Sequence, residues 1–356
     1  MNRNYYLEIA KSGAAFPIGT DLIVHEFENP AKVMNDGELL GKAVEKAAIK
    51  YNSPLAFPLM DLKLEKALLL DILGIPSDQI DGFHFESNPG KEAIEKVLQG
   101  LSKHSNKRIE ATCGAIKYIA EKTSLFPVGM CIGPFSLMTK LMSDPITAIY
   151  LIGMGVKEDE DDSVALAKTC LELSTIVIKH YVLMQIRAGA KAIIMCEPAA
   201  NKIYISPVQM EEGSDVFDSC VIKYIKEIKT VMTNNQTDLI LHDCGELTDK
   251  MVEKLASLDP VILSLGSSRK LWEDAKLIPK NIVLYGNLPS KYFYSDEKIS
   301  KAQVIEMAKE LIQKMKETGH PFILGSECDV LSVPEAVKTI KEKVDAFVAC
   351  ACCKHS

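Results

Sequence analysis

Arginine is scarce in this sequence: Arg3, Arg108, Arg187 and Arg269 are the four in a chain of 356 residues whose formal net charge is -7. A nucleic-acid grip or an anionic membrane surface needs a basic face, so neither partner is expected. Long apolar runs are missing too. The greasiest stretch, Ala148 to Val156, falls well short of the roughly 20 residues that span a bilayer. The start, MNRNYYLEIAKSGAAF, lacks the apolar region of a signal peptide, and a cytoplasmic protein is expected. No GxGxxG, P-loop, GxSxG or kinase-type motif occurs, which removes the ready nucleotide and serine-hydrolase readings.

What is present is ordinary globular material, 47% hydrophobic and 25% charged, enough for one large domain with a sizeable core. Ten cysteines without a secretion signal read as reduced thiols rather than a disulfide framework. Cys113, Cys131, Cys170, Cys196 and Cys220 stand in apolar contexts and read as small core residues. The closing CACCKHS gathers Cys350, Cys352, Cys353 and His355, yet it follows the last helix and reads as a frayed tail.

Apolar, β-branched runs recur through the chain, most of them ending on a polar or small residue. They are Leu55–Met60, Phe126–Cys131, Ala192–Met195, Leu239–His242, Val261–Leu265, Ile282–Tyr285 and Phe322–Leu324. Between them, segments such as Ser163–Ala190 and Lys301–Thr318 repeat apolar residues every three or four positions, as amphipathic crossover helices do. Ser332 reads as an N-cap and Pro334 as a first-turn proline of a last helix through Phe347. The acidic run EDEDD at 158–162 reads as a solvated helix start. Strand–helix alternation means an α/β fold. Seven strands are legible and Gly82–Phe85 is a candidate for an eighth, so a (β/α)8 TIM barrel is expected, with a doubly wound sheet as the alternative. The expected organisation is an N-terminal, mainly helical extension over 1–50, the barrel over 51–349 and a flexible tail over 350–356.

The most specific local signal is LILHDCG at 239–245. Residues i and i+2 of a strand point the same way, so His242 and Cys244 present a nitrogen and a sulfur to one spot at the strand's end. Cys328, just past the last apolar run, would join them where a barrel closes. One histidine and two thiolates suit Zn2+ and leave a fourth position for substrate. On spacing alone the same three residues also read as a hydrogen-bonded core histidine and two core cysteines. Asp61, Glu197, Ser267 and Asn287 each follow a strand at the carboxyl edge, where barrel active sites are built. Asp61 and Glu197 are the candidates for proton transfer or for closing a metal site, and each also reads as a cap or loop residue.

Five blocks, PLMD at 58–61, GMCIGPFSL at 129–137, HDCG at 242–245, YGNLPS at 285–290 and SVPEAVKTIKEKVDAF at 332–347, keep an order that resembles the uroporphyrinogen decarboxylase superfamily from about residue 50 onward. The decarboxylases receive tetrapyrrole propionates on an arginine-rich N-terminal loop. The corresponding stretch here, SGAAFPIGTD at 12–21, holds no arginine. The H-x-C pair with a distant cysteine is instead similar to the superfamily's corrinoid-dependent methyltransferases, among them methylcobalamin:coenzyme M methyltransferase and the aryl methyl ether O-demethylase branch. That resemblance implies zinc at His242, Cys244 and Cys328 and a separate corrinoid protein carrying the cobalamin. It also implies a small-molecule methyl donor or acceptor. The blocks around GTDLIVHE and PLMDLKLEKALLLDILG lean toward the aryl methyl ether; two thiolate ligands lean toward a thiol. A metal-free, decarboxylase-like lyase is the alternative from another reaction class, and a barrel with a merely structural zinc or a corrinoid-binding role is the non-enzyme one.

Overall fold

Each of the seven apolar runs forms a strand in the computed structural model, which describes residues 3–104 and 106–352. They are β1 Leu55–Ala56, β2 Phe126–Ile132, β3 Ala192–Cys196, β4 Asp238–Asp243, β5 Ile262–Leu265, β6 Val283–Leu288 and β7 Phe322–Ser326. All are parallel and pair strictly in chain order. Such an order has no point at which it reverses, which excludes the doubly wound alternative. β3 to β6 are buried along their whole length, which is why they read as continuous apolar runs and not as alternating ones.

β1 is shorter than the run Leu55–Met60 because Pro58 has no N–H to donate to a ladder. The Ile132 N–H at the end of β2 is taken by Glu65 Oε1 at 3.0 Å. Residues before β1 are mainly helical, with helices Arg3–Lys11, Thr20–Val24, Pro30–Met34 and Gly37–Lys50, and part of them belongs to the barrel wall. Ala15 and Ile18 bridge in parallel to Leu324 and Asp329. The Phe16 N–H donates to Leu324 O at 3.1 Å, and Thr20 Oγ1 donates to Phe57 O, just past β1, at 2.6 Å. Residues 14–20 thus link β7 to β1, and the fold is α/β and TIM-barrel-like. Gly82–Phe85 does not supply the eighth position: Phe85 bridges Met142, in the connection that follows β2.

The long crossover helix Asp162–Arg187 is capped by Asp161, whose carboxylate accepts from the Ser163 and Val164 N–H groups, so the acidic run is a helix start. Ser300 and Gln303 form a capping box on Lys301–Thr318, and Gly319 ends it at φ 60°. The last helix departs from expectation. Ser332 caps nothing; its N–H is drawn to Asp21 Oδ2 at 2.6 Å, a 3-10 turn Pro334–Ala336 follows, and the α-helix is Val337–Cys352. It therefore continues past Phe347 and includes Cys350, while Cys353 and His355 lie outside the described residues. Among the described residues no helix is long and apolar enough to cross a membrane.

Candidate metal centre

Strand register places Cys196 of β3, His242 of β4, Ser264 of β5 and Tyr285 of β6 in one row, and side chains of one row share a face. The Tyr285 hydroxyl donates to Phe16 O at 2.9 Å, which marks that face as the barrel interior. His242 is buried. Its Nδ1 lies 2.9 Å from Ser264 Oγ, and its Nε2 is buried with no hydrogen-bond partner. An unpaired buried polar atom costs about 1–3 kcal/mol, so this nitrogen is poised for a ligand.

Cys244 follows two residues on, as the alternation of a strand requires, and Cys328 stands two residues past β7. Their Sγ atoms are 3.9 Å apart, and the donors of His242, Cys244 and Cys328 all lie within 4.8 Å of one another. The contact pushes the two thiols in opposite directions. Contact with Cys328 holds Cys244 well below the ordinary thiol range against the opposing effect of burial, with His242 and Lys291 adding to it. The same contact, reinforced by burial, lifts Cys328 far above that range. One imidazole nitrogen and two sulfurs make a donor set fitted to a borderline-soft ion. The Nδ1–Ser264 contact fixes the ring so that Nε2 faces it.

Glu197 sits one residue past β3, fully buried, outside this donor set. Its carboxylate accepts from the Phe135 N–H at 3.2 Å and the Ser136 N–H at 2.5 Å, at the start of the helix Pro134–Thr139. Burial pushes it up to about 7 against those hydrogen bonds. Gly133 makes room for it, since a Cβ there would meet Glu197 Oε2 at 2.0 Å. Asp61 pairs with Arg108 at 2.7 Å and is also outside the donor set. Ser267 donates to Glu327 Oε2 at 2.7 Å, and Asn287 Nδ2 donates to Gly266 O and Arg269 O; both tie neighbouring loops together.

Two residues that sequence reasoning passed over stand at the cluster. Met60 Sδ lies 3.8 Å from Cys328 Sγ. Lys291, directly after the block YGNLPS, has Cys244, Glu327 and Cys328 as neighbours; partial desolvation pulls its ammonium down, and their charge outweighs that and raises it. Both residues adjoin quoted blocks, which is the one signal that pointed to them. A methionine in an apolar run and a lysine on a loop otherwise carry none.

A family model for uroporphyrinogen decarboxylase matches residues 78–351 of the chain. Similar curated proteins include the uroporphyrinogen decarboxylase of Chlorobium phaeobacteroides, 24% identical over 175 residues that make up 47% of this chain and 46% of that protein. The Prochlorococcus marinus uroporphyrinogen decarboxylase is 28% identical over 149 residues, 42% of this chain and 38% of its own. The chain thus spans less than half the length of the curated relatives it matches. Among solved structures, a methyltransferase from Methanosarcina mazei superposes with a TM-score of 0.68 at 19% identity, covering 98% of both chains.

Proposed function

The chain belongs to the uroporphyrinogen decarboxylase family, and within it we propose that it is a zinc-dependent methyltransferase working with a separate corrinoid protein in the cytoplasm. The observation that carries this reading is the convergence of Cys244 and Cys328 on a buried His242 Nε2 that has no protein partner. Porphyrinogen decarboxylation is disfavoured by the same interior. A polyanion needs several cations, and three of the four arginines are tied to partners of their own. Arg3 bonds to Pro260 O and Asn281 O, Arg108 to Asp61, and Arg269 to Asp249 and Asp274.

His242, Cys244 and Cys328 would hold the zinc, which when bound supplies Lewis acidity to a substrate oxygen or sulfur. The substrate favoured is an aryl methyl ether, whose methyl carbon passes to the partner's cobalamin while the ether oxygen leaves as a phenolate. Lys291 stands where its ammonium offsets that negative charge. Glu197, poised near neutrality, would hand on the proton the phenolate takes up. Asp61, opposed by Arg108 on the rim, is the second carboxylate assigned to proton movement. The two thiolate donors favour a second reading, with a thiol as methyl acceptor, because they make the metal a weaker acid while keeping a bound thiolate nucleophilic.

The corrinoid partner needs a surface near the cluster. Eleven large apolar side chains are exposed among the described residues, and nine of them lie in the connections that follow β2, β3, β6 and β7. Ile146, Tyr150 and Met154 follow β2, Ile203 and Val208 follow β3, and the rest follow β6 and β7. The connections after β2 and β3 meet where Gln209 Nε2 donates to Tyr150 O at 2.9 Å, and apolar exposure gathered there favours a docking protein.

The test is a cobalamin absorbance assay on the zinc-loaded protein. Cob(I)alamin with a methoxyarene is expected to turn into methylcob(III)alamin; the thiol reading instead predicts demethylation of methylcobalamin by a thiol. No change with either substrate class, using cobalamin free or on a carrier, would contradict methyl transfer.

A further inference from the structure

One more soft donor stands at the metal cluster. Met60 is half-buried in the connection after β1, and its Sδ is 3.8 Å from Cys328 Sγ, which is in turn 3.9 Å from Cys244 Sγ. A tetrahedral ion with metal–sulfur bonds of about 2.3 Å has sulfur–sulfur edges of about 3.8 Å. Both contacts therefore have the length of a coordination edge. Resting on the metal reading above, we propose that Met60 is the resting fourth ligand of this centre, its thioether filling the position that substrate later takes.

The surrounding structure delivers the thioether there. The Met60 backbone stands beside the carboxylate of Asp329, the neighbour of Cys328, and opposes the rise that burial imposes on it, so the loop after β1 sits against the loop after β7. On one side Phe57 O accepts from Thr20 Oγ1 at 2.6 Å; on the other, Asp61 pairs with Arg108 at 2.7 Å. The backbone is held on both sides of Met60, while its side chain keeps three rotatable bonds with which to swing away.

The chemistry suits a displaceable ligand. Two thiolates neutralise a divalent ion, and a neutral imidazole and thioether leave the centre uncharged. An incoming thiol would replace the metal–thioether bond with a stronger one to its thiolate and give up its proton to water, whereas an aryl methyl ether would enter as the neutral ether and become an anionic ligand only as its phenolate forms; no electron moves in either exchange. The added negative charge falls beside Lys291. Until then the thioether keeps the fourth position from other ligands. The Cys328 thiol also donates to the Met60 thioether, which holds that donor beside the cluster.

Zinc-edge X-ray absorption of the selenomethionine-labelled, zinc-loaded full chain tests this. One selenium scatterer at bonding distance from zinc is expected, lost in the volume-conserving Met60→Leu variant, which keeps about one zinc per chain with a light scatterer in its place. Saturation with a thiol is expected to remove the selenium signal from the wild type as well. Zinc bound at full stoichiometry with no selenium neighbour would overturn the role of Met60 and leave the metal reading standing. A wild type that binds no zinc would overturn both.

Discussion

Burial without a full set of partners favours the protonated form of Glu65. Its side chain is fully buried, Oε2 has no hydrogen-bond partner, and desolvation pushes it up to about 8 against the opposing hydrogen bond from Ile132. A carboxyl raised in the folded state stabilises the fold fully below its ordinary value of 4.5, and that stability is lost as pH rises through about 8. At 1.36 kcal/mol per unit the window is worth roughly 5 kcal/mol. Glu65→Gln keeps an acceptor for Ile132 and cannot ionise, so its melting temperature is expected to fall less than that of the wild type between pH 5 and pH 8. Equal slopes would contradict this assignment. The residual slope belongs to groups such as Glu197, raised to about 7 by the same desolvation. Legibility differed sharply among residues. His242 and Cys244 were readable because strand alternation fixes where i and i+2 point. Glu65 was not, because a glutamate beside a lysine in a helical run looks solvated until the burial is known.

Elements were legible where a repeating pattern set them and illegible where a side chain replaced a ladder. β2 to β7 declared themselves as unbroken apolar runs and the long helices by their period. The run Leu55–Met60 did not become a strand of that length, because Pro58 interrupts it and Glu65 takes over the Ile132 N–H. The link between β7 and β1 had no readable signal: AAFPIG is short and holds both a proline and a glycine, so its pairing with β7 depends on the barrel being there to receive it. The turn at Gly133 is a further case. Glu197 ties the end of β3 to the helix Pro134–Thr139 only because position 133 has no side chain, and a Cβ there would meet the carboxylate at 2.0 Å. Gly133→Ala is therefore expected to cost about 1–3 kcal/mol by overpacking, read by denaturant melts. A variant as stable as the wild type would show that this clamp is soft.

At the scale of the whole molecule, the barrel brings together residues 60, 242, 244, 291 and 328, which no local stretch of sequence could unite. Sequential parallel strands put the ends of β1, β4, β6 and β7 on one face. Cys328 was assigned on the expectation of a closing ring, and the 3.9 Å contact with Cys244 places it there. The identity of the substrate was never local information. The central claim is that His242, Cys244 and Cys328 hold a catalytic zinc. Metal analysis of the purified protein beside Cys328→Ala tests it most directly. About one zinc per chain in the wild type, with affinity in the variant reduced by several orders of magnitude and the fold retained, is the predicted result. A wild type handled without chelators that carries no zinc and takes none up, or a variant that binds it as tightly, would contradict the account.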